Sequence, residues 1–238
     1  MPVLLAIPLF TFAGYLLGES RAPQRLVHIT NAFLGWLPGG LAAVALVACA
    51  LFTAFTGATG VTIVALGALL YPALREAHYP DRFSLGLVTT SGSLGLLFAP
   101  SLPLILYGVV AQQLNVGQPV AIDDLFVAGI LPGLLMILLL AAWGFWENRH
   151  HHIPLQRFTL RAALAAAREA AWELPLPAIV LGGIYSGYFA VSEAAAVTAV
   201  YVLIVEVFIH REIPLRQLPR IMRESMLRRD EGKYQESA

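Results

Sequence analysis

The sequence predicts an all-α polytopic membrane protein with one re-entrant helical hairpin and one discontinuous helix. Three observations lead there. Hydrophobic residues make up 58% of the 238 positions and charged residues 13%, against roughly 45–50% and 25% in a soluble domain. Long stretches carry no Asp, Glu, Lys or Arg: residues 3–18, 26–74, 83–122, 125–146, 174–192 and 194–205. When these stretches are folded across a bilayer, all 15 Lys and Arg gather on one face. Disorder, a nucleic-acid-binding module and an ordinary soluble enzyme are excluded by the first observation alone. The single Cys49 excludes a disulfide framework and a Cys-rich zinc site.

About 20 apolar residues are needed to cross ~30 Å of hydrocarbon. The first span is read over residues 2–18. It has no basic segment before it, which argues against a secretory signal. Residues 39–74 are too long for one helix and short for two full spans. Their middle, Thr56-Gly57-Ala58-Thr59-Gly60, favours a break. Two arms of about 16 residues reach only ~24 Å each, so a hairpin that enters and leaves on one face fits. Its tip sits inside the bilayer, which requires cover from protein or a wet cavity.

The further spans are read at about 83–112, 125–146, 174–189 and 193–210. The span at 125–146 ends on Trp143 and Trp146, residues suited to the interface. Residues 23–36 and 160–172 read as helices lying in the interface or as plain linker helices. The membrane domain thus covers residues 1–226, followed by a polar tail at 227–238. With an even number of passes at 39–74, the far-side loop at 112–124 holds no Lys or Arg. The positive-inside rule then makes the basic face and the C-terminus cytoplasmic.

Two polar clusters fall at membrane depth. The first is the hairpin tip, with hydroxyls at Thr53, Thr56, Thr59 and Thr62 and glycines at Gly57 and Gly60. Glycine permits unwound backbone, whose carbonyls, together with Thr hydroxyls, suit a hard cation such as Na⁺. Half-helix N-termini suit a carboxylate. The same small residues also suit close helix packing. The second cluster is Thr89-Thr90-Ser91-Gly92-Ser93, followed by Pro100-Ser101-Leu102-Pro103. Pro100 and Pro103 each remove a backbone donor, so the span at 83–112 reads as two half-helices or as one kinked span. Broken helices meeting near the midplane are a sequence pointer to a transport site.

Ser192 and Glu193 read as a cap at the start of the last span, since a carboxylate in a first turn gains from the helix dipole; the alternative is a direct cation-ligand role. Glu206 reads as structural, snorkelling to the interface or pairing with His210 one turn on. His150-His151-His152 reads as a solvated loop, having no nearby Cys or acidic pair. No nucleophile–base constellation, Walker loop or dinucleotide fingerprint occurs, so no catalytic residue is assigned and an enzyme is not expected.

At this point the chain resembles a known family, the large membrane (permease) subunit of the tripartite ATP-independent periplasmic (TRAP) transporters. The resemblance rests on an ordered series over about residues 3–225. It opens with Leu5-Ala6-Ile7-Pro8-Leu9-Phe10 and Ala13-Gly14, then Gly39-Gly40-Leu41, Thr56-Gly57, Ala65-Leu66-Gly67 and Tyr71-Pro72-Ala73-Leu74. It continues through Gly92 to Gly95, Pro100-Ser101-Leu102-Pro103, Tyr107-Gly108 and Ala128-Gly129-Ile130-Leu131-Pro132-Gly133. It closes with Gly182-Gly183-Ile184 and Glu193-Ala194-Ala195-Ala196.

The resemblance implies an ion-transporter-superfamily-like half and an elevator-type mechanism. It implies Na⁺-coupled uptake of organic acids such as dicarboxylates across the bacterial inner membrane. The implied partners are a periplasmic substrate-binding protein and a small membrane subunit, in a lipid setting. Na⁺ is the coupling ion, and no other cofactor is implied. The implied cation and substrate residues are Thr56, Gly57, Thr59, Gly60, Thr90, Ser91, Gly92, Ser93 and Ser101, with Thr56, Thr59, Ser91 and Ser93 as Na⁺ ligands.

Three local departures occur. Ala58 stands where a second tip hydroxyl is frequent, Ala99 precedes Pro100-Ser101, and Ala190-Val191-Ser192-Glu193 replaces a Thr-Pro-Thr-Glu. The family subunit has two inverted halves, and the resemblance covers the first. A truncated or split permease is therefore expected, the latter with a separate second half. The alternatives are a non-transporting remnant or a membrane assembly protein, and last an intramembrane enzyme.

Overall fold

The computed structural model describes residues 5–37, 39–113, 121–149 and 159–227. The His150–His152 run and residues 228–238 of the polar tail lie outside them. The described residues form helices and no strand. In chain order these are α1 (Ala6–Glu19), α2 (Ala22–Leu34), α3 (Gly40–Thr56), α4 (Thr59–Glu76), α5 (Asp81–Leu94) and α6 (Leu102–Gln113). Then come α7 (Ile122–Asn148), α8 (Leu160–Glu169), α9 (Pro175–Tyr185), α10 (Val191–Leu203) and α11 (Leu218–Leu227).

The centre of the fold is α3. Val44, Ala45, Leu46, Ala48, Cys49 and Phe52 are all buried, and α1, α2, α4, α5 and α7 all pack on it. Its alanines let neighbours approach closely. Such packing holds membrane helices together where lipid removes the hydrophobic drive between them. α3 ends at Gly57, whose φ of +61° closes the helix while its N–H bonds the Thr53 carbonyl at 2.7 Å. A left-handed C-terminal residue of this kind is the usual glycine role. Ala58 is extended and α4 starts at Thr59, so α3 and α4 form a tight antiparallel hairpin. Each arm is about 26 Å long at 1.5 Å per residue, slightly under the ~30 Å of hydrocarbon.

α1 crosses this hairpin at its tip. A Cβ on Gly14 would lie 2.4 Å from the Thr56 Cα, so only glycine admits the crossing. α1 also packs along α10, through Ala6, Phe10, Ala13 and Leu17 against Ala194, Ala195, Ala199 and Val202.

α5 runs into a short 3-10 turn at Gly95–Leu97. Extended residues follow before α6, and the two helices are bent by 42°. Pro100 is buried in the break and Pro103 is exposed on α6. Two described helical segments, Ile122–Asn148 and Val191–Ile209, are long and apolar enough to cross a membrane, and the bent pair is a third. α7 buries only Ile122, Phe126, Gly129, Gly133, Gly144 and Asn148. Ile137, Leu140 and Ala141 are half-buried against the core, and most of the rest of its surface, including Leu131, Leu138 and Trp146, is exposed. α9 is an eleven-residue helix, shorter than the segment expected over 174–189.

The two segments read as interfacial or linker helices pack on each other. α2 buries Ala22, Pro23, Arg25, Leu26, Ile29 and Thr30. Ile29 meets Ala166 and Ala170 of the α8 region.

α10 does not end as an α-helix. Residues Ile204–Ile209 form a π-helical turn, in which the His210 N–H bonds the Val205 carbonyl at 2.8 Å. Such turns widen the backbone and frequently mark functional positions. Ser192 lies inside the first turn of α10, because Ala190 occupies the N-cap. Glu193 supplies the capping bond, its Oε2 accepting from the Ala190 N–H at 2.9 Å.

Candidate functional site

The hairpin tip and the broken helix meet. The Thr53 hydroxyl donates to the Gly92 carbonyl of α5 at 3.0 Å and lies 2.7 Å from the Thr62 hydroxyl. Thr56 Oγ1 lies 3.4 Å from Thr62 Oγ1, and the Thr62 hydroxyl donates to the Ala58 carbonyl at 3.3 Å. Thr53, Thr56 and Thr62 are all buried. Their spacing explains the convergence: positions 53 and 56 share one face of α3, and position 62 comes back opposite them on α4.

Glycine makes the meeting close. A Cβ on Gly95 would lie 2.4 Å from the Ala50 carbonyl oxygen, and one on Gly57 would lie 2.6 Å from the Leu102 Cγ. The tip therefore touches both sides of the break. Gly92 faces Ile63 and the Thr59 carbonyl. Ser91 is buried and bonds the Val88 carbonyl. Ser101 is buried under the break and donates to the Leu96 carbonyl at 2.5 Å.

Not every expected residue joins this cluster. Thr90 and Ser93 lie on the exposed face of α5, where the Ser93 hydroxyl bonds the Thr90 carbonyl at 2.8 Å. Gly60 is exposed and lines a cavity of about 760 Å³ with Tyr15, Gly18, Glu19 and Arg223. In their place the structure brings in Thr53 and Thr62, whose hydroxyls bracket the tip in the sequence.

The donor set is oxygen only and carries no formal charge. Hydroxyl and carbonyl oxygens suit a hard cation of low charge, whereas a divalent ion draws on carboxylates. Among the described residues no group of three or more His, Cys, Asp or Glu could hold a metal ion. Electrostatics divides the tip. The α3 C-terminus places carbonyl dipoles there and favours a cation. The α4 N-terminus, with no side-chain cap, presents N–H groups that favour an anion.

A second polar assembly was not read from the sequence. Arg25, buried on α2, gives Nε to Glu173 Oε1 at 2.6 Å, Nη1 to Glu212 Oε1 at 2.6 Å and Nη2 to both Glu206 oxygens at 3.3 Å. The Arg21 N–H also bonds Glu212 Oε2, at 2.7 Å. Glu206 therefore pairs with Arg25 instead of snorkelling to the interface or pairing with His210. The π-helical turn carries it to this partner. Burial raises the Glu212 carboxyl, but the Arg21 and Arg25 hydrogen bonds and the Arg25 and His210 charges outweigh that and hold it below its ordinary value.

Comparison with known proteins places the chain in a family. A family model described as "Tripartite ATP-independent periplasmic transporter, DctM component" matches residues 2–229. The C4-dicarboxylate TRAP transporter large permease protein of Rhodobacter capsulatus is 38% identical over 230 residues, covering 93% of this chain and 52% of the relative. Its counterpart in Pseudomonas aeruginosa is 40% identical over 223 residues, covering 93% and 51%. The ectoine/5-hydroxyectoine TRAP transporter large permease protein of Ruegeria pomeroyi is 35% identical over 213 residues, covering 89% and 48%. The chain spans about half the length of these relatives.

Proposed function

The chain belongs to the DctM family of tripartite ATP-independent periplasmic transporters, and from that premise we propose that it builds a hairpin-bearing half of a Na⁺-coupled large permease. Proteins of this family are transporter permeases rather than enzymes. The observation that carries the proposal is the buried cluster of the Thr53, Thr56 and Thr62 hydroxyls, tied to α5 by the Thr53 hydrogen bond to the Gly92 carbonyl, where two interrupted helices meet.

Na⁺ binds at this oxygen cluster against the α3 C-terminus. A substrate carboxylate is held by the N–H groups opening α4. The two charges neutralise each other across the tip, so the loaded hairpin crosses hydrocarbon at lower cost than either ion alone. An organic acid is delivered by a periplasmic binding protein, and a small membrane subunit completes the complex in the inner membrane. The basic loops face the cytoplasm. The relatives' names cover C4-dicarboxylate and ectoine carriers, and carboxylate recognition by backbone is compatible with both.

The test is uptake in proteoliposomes containing the complete transporter and its binding protein under an imposed Na⁺ gradient. Thr53→Val and Thr56→Val should raise the Na⁺ concentration for half-maximal uptake about tenfold, the loss of about 1.4 kcal/mol. Uptake indifferent to Na⁺ sinks the coupling claim. An unchanged Na⁺ dependence in both variants sinks the site.

A further inference from the structure

The outer face of the α2–α8 pair lies apart from the hairpin site and plays no part in the Na⁺ reading. The two helices pack antiparallel. Arg25 bonds Glu173, His28 Nδ1 lies 3.4 Å from Glu169 Oε2, and Ile29 and Ala32 cluster with Ala166, Ala167 and Ala170. Numbers rise along α2 as they fall along α8, so Phe33 and Trp36 lie toward the Leu160 end of α8. Phe33 and Trp36 are half exposed, Leu160 is 68% exposed and Leu164 55%. Four large apolar side chains at one end of a helix pair form a patch that needs cover.

Helical phase and depth say what covers it. At about 100° per residue, Ala163, Ala166 and Ala170 share the buried strip of α8. Leu160 and Leu164 share an exposed strip, and Glu169 points about 160° from it. Arg161 and Arg168 stand between the leucines and Glu169, opposite the buried alanines. Among the described residues neither guanidinium has a carboxylate partner. The nearby acids are turned elsewhere, Glu169 to His28 and Glu173 to Arg25. Leucines on one side, an acid on the other and free arginines at the boundary match acyl chains, water and headgroup phosphates in that order. The depth is set by α7, whose Trp143 and Trp146 suit an interface and whose Trp146 ring lies 5.6 Å from the Arg149 guanidinium. A Cβ on Gly39 would lie 3.6 Å from the Phe145 Cα, so the segment leaving Trp36 runs beside that interfacial end.

We propose that the α2–α8 face docks on anionic phospholipid of the leaflet that meets the basic loops. Phe33, Trp36, Leu160 and Leu164 enter the acyl boundary. Arg161 and Arg168 donate to headgroup phosphates, and Glu169 stays in water. The lipid then braces the helix pair that carries Arg25.

The test uses the whole chain in nanodiscs of phosphatidylcholine mixed with phosphatidylglycerol. A nitroxide is placed on Leu164→Cys or on Ala162→Cys, both exposed positions, and the unsubstituted chain, whose Cys49 is buried, gives the blank. Oxygen should relax the label at 164 more than a water-soluble nickel chelate does, with the reverse at 162. Equal access of the chelate to both positions, as for a plain linker helix, overturns the proposal. Protection of 164 from both reagents overturns it too, since protein then covers the patch. In a second arm a fluorophore at 164 is quenched by phospholipids with brominated chains. Phosphatidylglycerol should bind there about fivefold more tightly than phosphatidylcholine, the worth of one arginine near a charged surface. Arg161→Gln combined with Arg168→Gln should bring that ratio close to one. A ratio near one with both arginines present, or one unchanged in the double variant, overturns the headgroup assignment. Both arginines are exposed, so the fold does not depend on them. Transport is not measured, so the outcome is independent of the Na⁺ proposal.

Discussion

Arg25→Met is the most informative single change outside the hairpin. It removes one cation and leaves three carboxylates behind. They are not equally stranded. Glu206 is fully buried and, among the described residues, has only Arg25 as an ion-pair partner, and Glu173 is 3% exposed and loses its 2.6 Å contact. Glu212 is 17% exposed and keeps the Arg21 N–H, so it contributes least. Breaking a buried pair by removing one partner costs about 3–5 kcal/mol. The variant should therefore lose about that much, a large part of an ordinary 5–15 kcal/mol margin. Equilibrium unfolding in mixed micelles, followed by far-ultraviolet circular dichroism, measures it. Adding Glu173→Leu and Glu206→Leu to Arg25→Met should restore at least half of the loss, since apolar replacements remove the stranded charges. A loss below about 1 kcal/mol, the range of an exposed ion pair, would refute the reasoning. So would a triple variant no better than the single one.

Three further outcomes are expected. Gly14→Ala should destabilise by about 1–3 kcal/mol, because the new Cβ meets the Thr56 backbone at 2.4 Å, and the same unfolding titration reads it. Thr53→Val should cost about 0.5–1.5 kcal/mol through loss of the bond to Gly92, with amide exchange rising at the hairpin tip first. Glu212 gives a signed pH effect: its folded value lies below the ordinary 4.5, so its stabilisation is complete above that value and fades as pH falls through the folded one. Glu212→Gln should flatten the acid limb of a stability–pH profile, and an unchanged limb would count against the Arg21 and Arg25 contacts.

The hairpin was legible because its turn needs a residue with positive φ and the sequence offers Thr56-Gly57 in the middle of an apolar run. The break before α6 was legible from Pro100 and Pro103, although not which hydroxyls face inward. Thr90 and Ser93 were grouped with Ser91 and Gly92 by adjacency, whereas on a helix adjacent positions point in different directions. The Arg25 assembly was invisible for a different reason. Its members come from four separate segments, and a reading that treats charges as the edges of spans leaves Arg25, Glu173 and Glu212 at the basic face and offers Glu206 only His210 or the interface as a partner. The π-helical turn that presents Glu206 leaves no pattern in hydropathy at all.

That turn carries a consequence for how the chain tolerates change in length. A π-helical turn is an α-helix holding one surplus residue. The surplus is taken up inside the turn, so removing one position other than Glu206 within Ile204–Ile209 would let the helix relax to ordinary winding while the residues beyond it keep nearly the same phase. Glu212 would then keep Arg25 and the Arg21 N–H. What would be lost is the widened backbone from which Glu206 reaches Arg25. A one-residue deletion here acts on one arm of the junction and spares the others.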